Sequence, residues 1–203
     1  MLKWEREGIQ MARSKEFEEK VVLDKAMKLF WEQGYEKTSM SDLVEHMGIH
    51  RRSLYDTFTD KHTLFLKAFD RFAERTNSRL AAGVKESATA EDAMKFLFKY
   101  MIFGDEDTPP GCMLVNSAAE LAVRDMEVDV KTRAGFSDTE RLIKEIVVWG
   151  QEKGEFTTAI EADDLAQVLH NSLVGLRVLT RTSTPKEKLE RIAELSMYIL
   201  KKK

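Results

Sequence analysis

The sequence of 203 residues predicts an all-α fold with about nine helices. Apolar residues recur at intervals of three and four along most of the chain, which is the period of a helix buried on one face. No segment alternates apolar and polar residues as a half-buried strand does. The three prolines and ten glycines are scattered, and several of them separate one apolar repeat from the next.

The composition is that of an ordinary globular protein, with 43% hydrophobic and 33% charged residues. No apolar stretch approaches the roughly 18 residues that a membrane span needs, and the first residues lack the apolar segment of an export signal. Cys112 is the single cysteine, so no internal disulfide can form. These features predict a cytoplasmic protein without a membrane partner.

The overall charge does not indicate a nucleic-acid-binding protein, because the formal net charge is −3. Basic and acidic residues are also almost balanced within the first 62 residues. DNA binding requires only one basic or donor-rich face, however, which a net charge does not report. Any argument for DNA binding therefore depends on a motif.

The first part of the chain has the layout of a helix-turn-helix unit, preceded by residues 1–16, which we expect to form a flexible arm. Gly34 and Gly48 are expected to end the first and second helices. Ser39 and Asp42 form a capping-box pattern at the start of the second helix. The four predicted helices are 17–33, 40–47, 51–58 and a long one that follows a capping Asp60.

Several residue patterns in this region agree at fixed spacings. They are Gly34-Tyr35, the Thr/Ser-rich segment 38–41, Gly48-Ile49, Leu54-Tyr55, Phe58, Lys61 and Leu64-Phe65. Over residues 17–72 the chain resembles the DNA-binding domain of the tetracycline-repressor-like (TetR) family of transcriptional regulators. The resemblance implies a DNA-binding domain at 17–62 and an effector-binding and dimerisation domain at 63–203. It also implies a double-stranded operator DNA partner, a small-molecule effector and a homodimer.

The third predicted helix is short enough to place its N-terminal end in the major groove of DNA. His50, Arg51 and Arg52 supply hydrogen-bond donors there. The resemblance implies base contacts from Arg51, Arg52 and Ser53, and phosphate contacts at Ser39, Tyr55 and Lys61. The candidate DNA-binding residues are Thr38, Ser39, His50, Arg51, Arg52, Ser53, Tyr55 and Lys61.

Two residues depart from the family pattern in this helix. His50 stands where the family usually has Ser or Thr as a helix cap, so we interpret it as a candidate base-reading residue. Asp56 places a negative charge where a neutral or aromatic residue is commoner, and it would repel a phosphate that it faced. His46 and His50 have the spacing of zinc ligands, but Gly48 interrupts the helix between them, so no metal site is expected.

The second part of the chain contains a candidate effector site. Residues 92–103 are apolar almost all round, which predicts a buried helix. Helices predicted at 112–123, 127–153 and 163–180 are candidates to surround it and enclose an apolar or aromatic effector. The candidate ligand-binding residues are Phe96, Tyr100, Met113, Asn116, Trp149 and His170, with Asn116 and His170 orienting a polar atom. The alternative is a solid core in which those two side chains bond to each other or to the backbone.

The last two predicted helices carry more apolar surface than one face requires. Val174 and Val178 extend the leucine stripe of 163–180, and Leu195 lies outside the apolar face of the final helix, which runs from Pro185 to Leu200. We expect these helices to form a four-helix contact in a homodimer. The alternative is that the surplus packs within one subunit.

The sequence thus favours a repressor that binds a palindromic operator as a homodimer and is released by its effector. Cys112 follows a Pro-Pro-Gly break near a predicted helix start, which makes it a candidate redox or electrophile sensor. The competing interpretation is that Cys112 is a small buried apolar residue. A further alternative is an effector-free DNA-binding structural protein. No catalytic arrangement or phosphate-binding loop is found, so we expect neither an enzyme nor a cofactor.

Overall fold

The computed structural model describes residues 19–202, which contain nine α-helices, one short 3-10 helix and no strand. The predicted all-α class is confirmed. The arm expected at residues 1–16 lies outside the described residues. The helices are α1 (19–33 within the described range), α2 (Met40–Met47), α3 (Arg51–Phe58), α4 (Lys61–Glu86), α5 (Ala90–Phe103), α6 (Met113–Glu120), α7 (Met126–Glu152), α8 (Ala162–Leu179) and α9 (Lys186–Met197), followed by the 3-10 helix Tyr198–Leu200.

The chain forms two compact units that divide between Phe72 and Ala73, within α4. The boundary expected from the sequence lies ten residues earlier, between residues 62 and 63. The N-terminal unit contains α1, α2, α3 and the first part of α4. The C-terminal unit contains the rest of α4 and the five helices that follow.

Aromatic side chains hold the N-terminal unit together. The ring of Phe65, on α4, meets that of Phe30, on α1, edge to face at 5.2 Å between centroids, and Tyr35 packs on Phe65 at 5.0 Å. Such edge-to-face pairs stabilise a core beyond the area that they bury. Arg71 of α4 also donates hydrogen bonds from Nε and Nη2 to the two carboxylate oxygens of Asp24 on α1, at 2.9 and 3.3 Å. These contacts fix α1 against α4.

Local capping interactions set the start and end of α2. The Ser39 hydroxyl accepts a hydrogen bond from Asp42 N, and the Asp42 carboxylate accepts one from Ser39 N, so the predicted capping box is confirmed. Gly48 ends the helix in the left-handed conformation (φ 70°). The Lys25 ammonium donates to the Met47 carbonyl at 3.1 Å, where a cation favours the negative end of the helix.

The C-terminal unit is built around α5, whose residues Met94, Leu97 and Phe98 are almost fully buried. The prediction that this helix is enclosed on most sides is therefore confirmed. Helix α5 begins at Ala90, two residues earlier than expected, because Thr89 accepts a hydrogen bond from Asp92 N. The sequence also predicts Asp163 as the cap of α8, and this is wrong. Glu161 occupies the N-cap position without a side-chain capping bond, and Asp163 lies in the first turn, where a carboxylate interacts favourably with the helix dipole.

Residues 19–202 contain neither a membrane-spanning helix nor a candidate metal site. Within that range, no helix is long and apolar enough to cross a membrane. The same residues contain no group of three or more His, Cys, Asp or Glu side chains that could hold a metal ion.

Candidate DNA-binding surface and ligand site

Helix α3 is anchored by two side chains and leaves the rest of its surface exposed. Leu54 and Phe58 are buried, one turn apart on one face. Tyr55 is 41% exposed, although it directly follows Leu54. The predicted DNA-binding residues at this end of the helix are all exposed: His50, Arg51, Arg52, Ser53 and Tyr55. The helix therefore presents a continuous row of hydrogen-bond donors to solvent.

The charged side chains of α3 are held only weakly. The Arg51 guanidinium lies 5.8 Å from the centre of the Tyr55 ring. Arg52 Nε is 3.7 Å from Asp56 Oδ2, and the two side chains are 93% and 69% exposed. An ion pair so exposed contributes little stability, so either arginine can turn toward another anion at small cost. His50 occupies the N-cap position without a side-chain capping bond.

The two hydroxyl residues before α2 differ in their surroundings. Thr38 is fully buried, and its hydroxyl donates to the Gly34 carbonyl at 2.6 Å. Since this hydroxyl has no access to solvent, Thr38 is not a proposed DNA contact. Ser39 is exposed, and hydrogen bonds from its hydroxyl and its N–H lower the pKa of the Asp42 carboxyl. A phosphate at Ser39 would therefore lie beside an ionised carboxylate.

Lys61 is the first residue of α4, and its ammonium lies 4.2 Å from the centre of the Tyr35 ring. A cation over an aromatic face is attracted by the ring electrons and is restrained in position. The carboxylate of Asp60 accepts a hydrogen bond from Thr63 N at 2.7 Å, which confirms the expected cap. The start of α4 thus offers a half-buried, positioned cation at a helix N-terminus.

The six candidate ligand-binding residues have different environments. Phe96 and Tyr100 are half-buried and stack on each other, with 6.0 Å between ring centroids. Trp149 is half-buried against the core, whereas Met113 is buried. The Asn116 amide nitrogen is buried and has no hydrogen-bond partner within the described chain. Asn116 therefore has a donor free for a ligand.

His170, in contrast, has a partner within the protein. Its Nδ1 lies 3.5 Å from Glu140 Oε2, and the Phe136 ring packs edge-on against the imidazole, both partners lying on α7. Burial lowers the pKa of His170, and the Glu140 carboxylate opposes this shift. The expected alternative of a bond between Asn116 and His170 is not what the structure shows.

A groove of about 420 Å³ lies elsewhere in the C-terminal unit. It is lined by the first turns of α5, by Glu155 and Phe156, and by the end of the chain from Arg191 to Lys201. None of the six candidate ligand-binding residues lines this groove.

Cys112, at the N-cap of α6, is 3% exposed. This burial favours its interpretation as a packing residue over a thiol that reacts from the surface.

Arg177 of α8 is a buried charged residue that is not among the site residues predicted from the sequence. Its side chain is 4% exposed. The sequence does contain a signal, since Arg177 is the single charged residue between Ser172 and Leu179. A lone arginine in an apolar helical stretch is either paired within the core or directed at a ligand.

Comparisons with known proteins agree with this layout. Residues 22–68 match the model of the bacterial regulatory proteins of the tetR family, and residues 90–195 match that of the tetracyclin repressor-like C-terminal domain. The chain is 33% identical over 190 residues to the HTH-type transcriptional repressor ComR of Escherichia coli, covering 92% of this chain and 90% of ComR. It is 29% identical over 195 residues to the HTH-type transcriptional regulator YezE of Bacillus subtilis, covering 94% of this chain and 100% of YezE.

The fold is also similar to that of a solved complex. A cysteine mutant of the TetR family regulator CifR, complexed with 26-base-pair operator DNA, superposes with a TM-score of 0.78 at 25% identity, over 88% of this chain and 95% of CifR. Together the matches show that the chain belongs to the TetR family of bacterial regulatory proteins. It is a transcriptional regulator, from a family of regulators rather than of enzymes.

Proposed function

We propose that the protein is a repressor that binds a palindromic operator as a homodimer and leaves it when a small molecule occupies the C-terminal unit. The observation that carries the proposal is the exposed row of donors on α3 above the two buried anchors, Leu54 and Phe58. Repression is supported by the similarity to ComR, which is a transcriptional repressor. Operator binding is supported by the similarity to CifR, whose complex contains operator DNA.

Helix α3 is the proposed recognition helix. Its N-terminal residues Arg51 and Arg52 have the length and the forked donors that match the O6 and N7 atoms of guanine. Ser39, Tyr55 and Lys61 are the proposed phosphate contacts, since Ser39 and Lys61 lie at helix starts and Tyr55 is exposed beside Arg51. His50 and Ser53 are further base-reading candidates because both are exposed at the same end of the helix.

The recognition helix is tested by operator affinity, measured by fluorescence anisotropy on DNA that flanks the protein's own gene. Replacing both Arg51 and Arg52 with Ala is expected to weaken binding by at least tenfold, since each bidentate pair contributes about 1–3 kcal/mol. The matched control replaces Arg133 and Arg141 of α7 with Ala, because these arginines also form exposed pairs with a nearby aspartate. Unchanged affinity in the α3 variant would refute the assignment.

The proposed dimer surface lies on α8 and α9. Val168, Asn171, Gly175 and Val178 are exposed and recur at intervals of three and four, so they form one stripe along α8. Nothing lies within 4 Å of the position where a side chain on Gly175 would begin, which leaves room for a second helix. On α9, Leu195 is 55% exposed. The surplus apolar residues Val178 and Leu195 are thus not buried within one subunit, which supports a contact with a second copy.

The dimer is tested with charges placed on this stripe. A variant with Val168→Glu and Val178→Glu is expected to be monomeric by light scattering and to lose operator affinity, because two half-sites must be bound together. Val130→Glu is the matched control, since Val130 on α7 is 52% exposed, as is Val178. A monomeric mass for the unmodified protein at micromolar concentration would refute the dimer.

The effector site is proposed around Phe96, Tyr100 and Asn116. The stacked pair is partly open to solvent, and the Asn116 amide has an unused donor. Met113, Trp149 and His170 remain lining candidates, although His170 is already paired with Glu140. Release requires that the effector prefer the form that does not bind DNA, and a hundredfold preference corresponds to about 2.7 kcal/mol. Operator affinity that no compound alters would count against this part of the proposal.

A further inference from the structure

Arg177 is a buried cation that no side chain of residues 19–202 neutralises. Its side chain lies within the C-terminal unit, and Nε has no hydrogen-bond partner. Across residues 19–202 the guanidinium also makes no ion pair. An arginine keeps its charge in any protein environment, so burial cannot be relieved by loss of a proton. A buried charge without a partner is strongly unfavourable, which indicates that a counter-charge comes from outside the chain.

Arg177 is one of three arginines that act on the Tyr100 hydroxyl. Tyr100 lies within electrostatic reach of three guanidinium groups, those of Arg75, Arg79 and Arg177, and of one carboxylate, Asp105. That carboxylate is already paired with Arg79 at 3.5 Å. Burial and Asp105 raise the pKa of Tyr100, so its phenol keeps its proton at neutral pH and can donate a hydrogen bond.

Two stacked aromatic rings lie close to Arg79. The rings of Phe96 and Tyr100 are stacked at 6.0 Å, and the Arg79 guanidinium lies 5.9 Å from the Phe96 ring centre. Phe96 also packs directly on Gly83 of α4, where a side chain could not be accommodated without displacing the ring. Both rings are only half-buried, so a planar molecule has a surface to stack on next to the Arg79 guanidinium.

We infer that the effector is an organic anion, a carboxylate on an aromatic or apolar body, with Arg177 as its counter-ion. The forked guanidinium matches the two oxygens of a carboxylate, and the Tyr100 hydroxyl supplies a further donor. The Asn116 amide is a second unused donor on α6, a helix that packs against α8. The inference rests on the proposed effector function and specifies that the small molecule carries a negative charge.

The inference is tested with matched pairs of probes on the full-length protein. Benzoate and phenylacetate are titrated beside benzamide and phenylacetamide, which have the same shape without the charge, and binding is measured by calorimetry. Each carboxylate is expected to bind at least about tenfold more tightly than its amide, as a charge-assisted bond implies. Equal binding of the two members of both pairs would overturn the inference.

Variants then assign the effect to Arg177. Arg177→Met keeps most of the side-chain volume and is expected to abolish the preference for the carboxylates. Arg177→Lys keeps the positive charge but lacks the forked donors of a guanidinium, so it is expected to retain part of the preference for carboxylates. Arg133→Met is the control, because Arg133 is an exposed arginine of α7 and its loss is expected to leave the preference unchanged. Full preference in Arg177→Met would overturn the inference.

The Tm of the ligand-free protein distinguishes a ligand-binding arginine from a structural one. Since Arg177 has no partner within the described part of the chain, Arg177→Met is expected to have an unchanged or higher Tm. A lower Tm would show a structural role and overturn the inference. Operator binding is measured on the same ligand-free samples. If the unmodified protein binds carboxylates through Arg177 but does not bind operator DNA, the proposed function fails and the anion site stands.

Discussion

Asp56 is the one acidic residue on the exposed surface of α3, and its removal is expected to strengthen DNA binding. The carboxylate Oδ2 lies 3.7 Å from Arg52 Nε, one turn earlier on the same helix. The change Asp56→Asn keeps the size of the side chain and removes its charge. It therefore removes both the repulsion between Asp56 and the DNA phosphates and the competition for Arg52.

The expected magnitude follows from the exposure of this pair. An ion pair between side chains that are 93% and 69% exposed contributes at most about 1 kcal/mol, so folding stability is expected to change little. A carboxylate roughly 8 Å from a phosphate in water is repelled by about 0.5 kcal/mol. With Arg52 released as well, the gain is about 0.5–1 kcal/mol for each half-site. For a dimer this amounts to about 5- to 30-fold tighter binding.

The assay is a fluorescence anisotropy titration of operator DNA at two salt concentrations, because electrostatic gains shrink as salt increases. The control is Asp129→Asn, since Asp129 forms an exposed pair of the same spacing with Arg133 on α7. The control is expected to bind as the unmodified protein does. Weaker or unchanged operator binding by Asp56→Asn would show that this face of α3 does not approach the phosphates.

Three further predictions concern single residues. Lys61→Ala is expected to weaken binding to operator and to unrelated DNA alike, and to reduce the slope of log affinity against log salt by about 0.9 per half-site; an unchanged slope would exclude a phosphate contact. Because burial lowers the pKa of His170 in the folded state despite the Glu140 carboxylate, stability is expected to be complete above the unfolded pKa of about 6.5 and to decrease as the pH falls below it. Thermal unfolding should show a smaller loss of Tm between pH 7.5 and pH 5.5 for His170→Gln than for the unmodified protein, and equal losses would contradict this. Thr59 has φ 63° and ψ −57°, a conformation strained for a threonine, so Thr59→Gly is expected to raise the free energy of unfolding in urea by about 1 kcal/mol; a lower value would contradict the strain.

Local signals in the sequence were enough to predict the helix-turn-helix region. The capping box of Ser39 and Asp42 and the left-handed Gly48 depend only on residues a few positions apart, so sequence spacing reports them directly. The exposure of Tyr55 follows from the burial of its neighbour Leu54 on a short helix. For the same reason the class of fold and the order of the helices were predictable.

Properties that depend on distant residues were not predictable in the same way. Thr38 lies in a Thr/Ser-rich segment that is typical of a helix start. Its burial, however, depends on how that segment packs in the folded unit. His170 finds its partner, Glu140, thirty residues earlier on α7, and no spacing rule connects them. Arg177 is conspicuous in the sequence, yet only the structure shows that its guanidinium has no counter-charge among residues 19–202.

The central claim is that α3 places Arg51 and Arg52 in the major groove of two half-sites. Hydroxyl-radical footprinting of the DNA that flanks the protein's own gene tests it most directly. We predict two protected half-sites related by a two-fold axis, with centres about 34–36 Å apart or a multiple of that distance. Protection is expected to disappear when both arginines are replaced by Ala. The same footprint with and without Arg51 and Arg52, or a single protected half-site, would contradict the account.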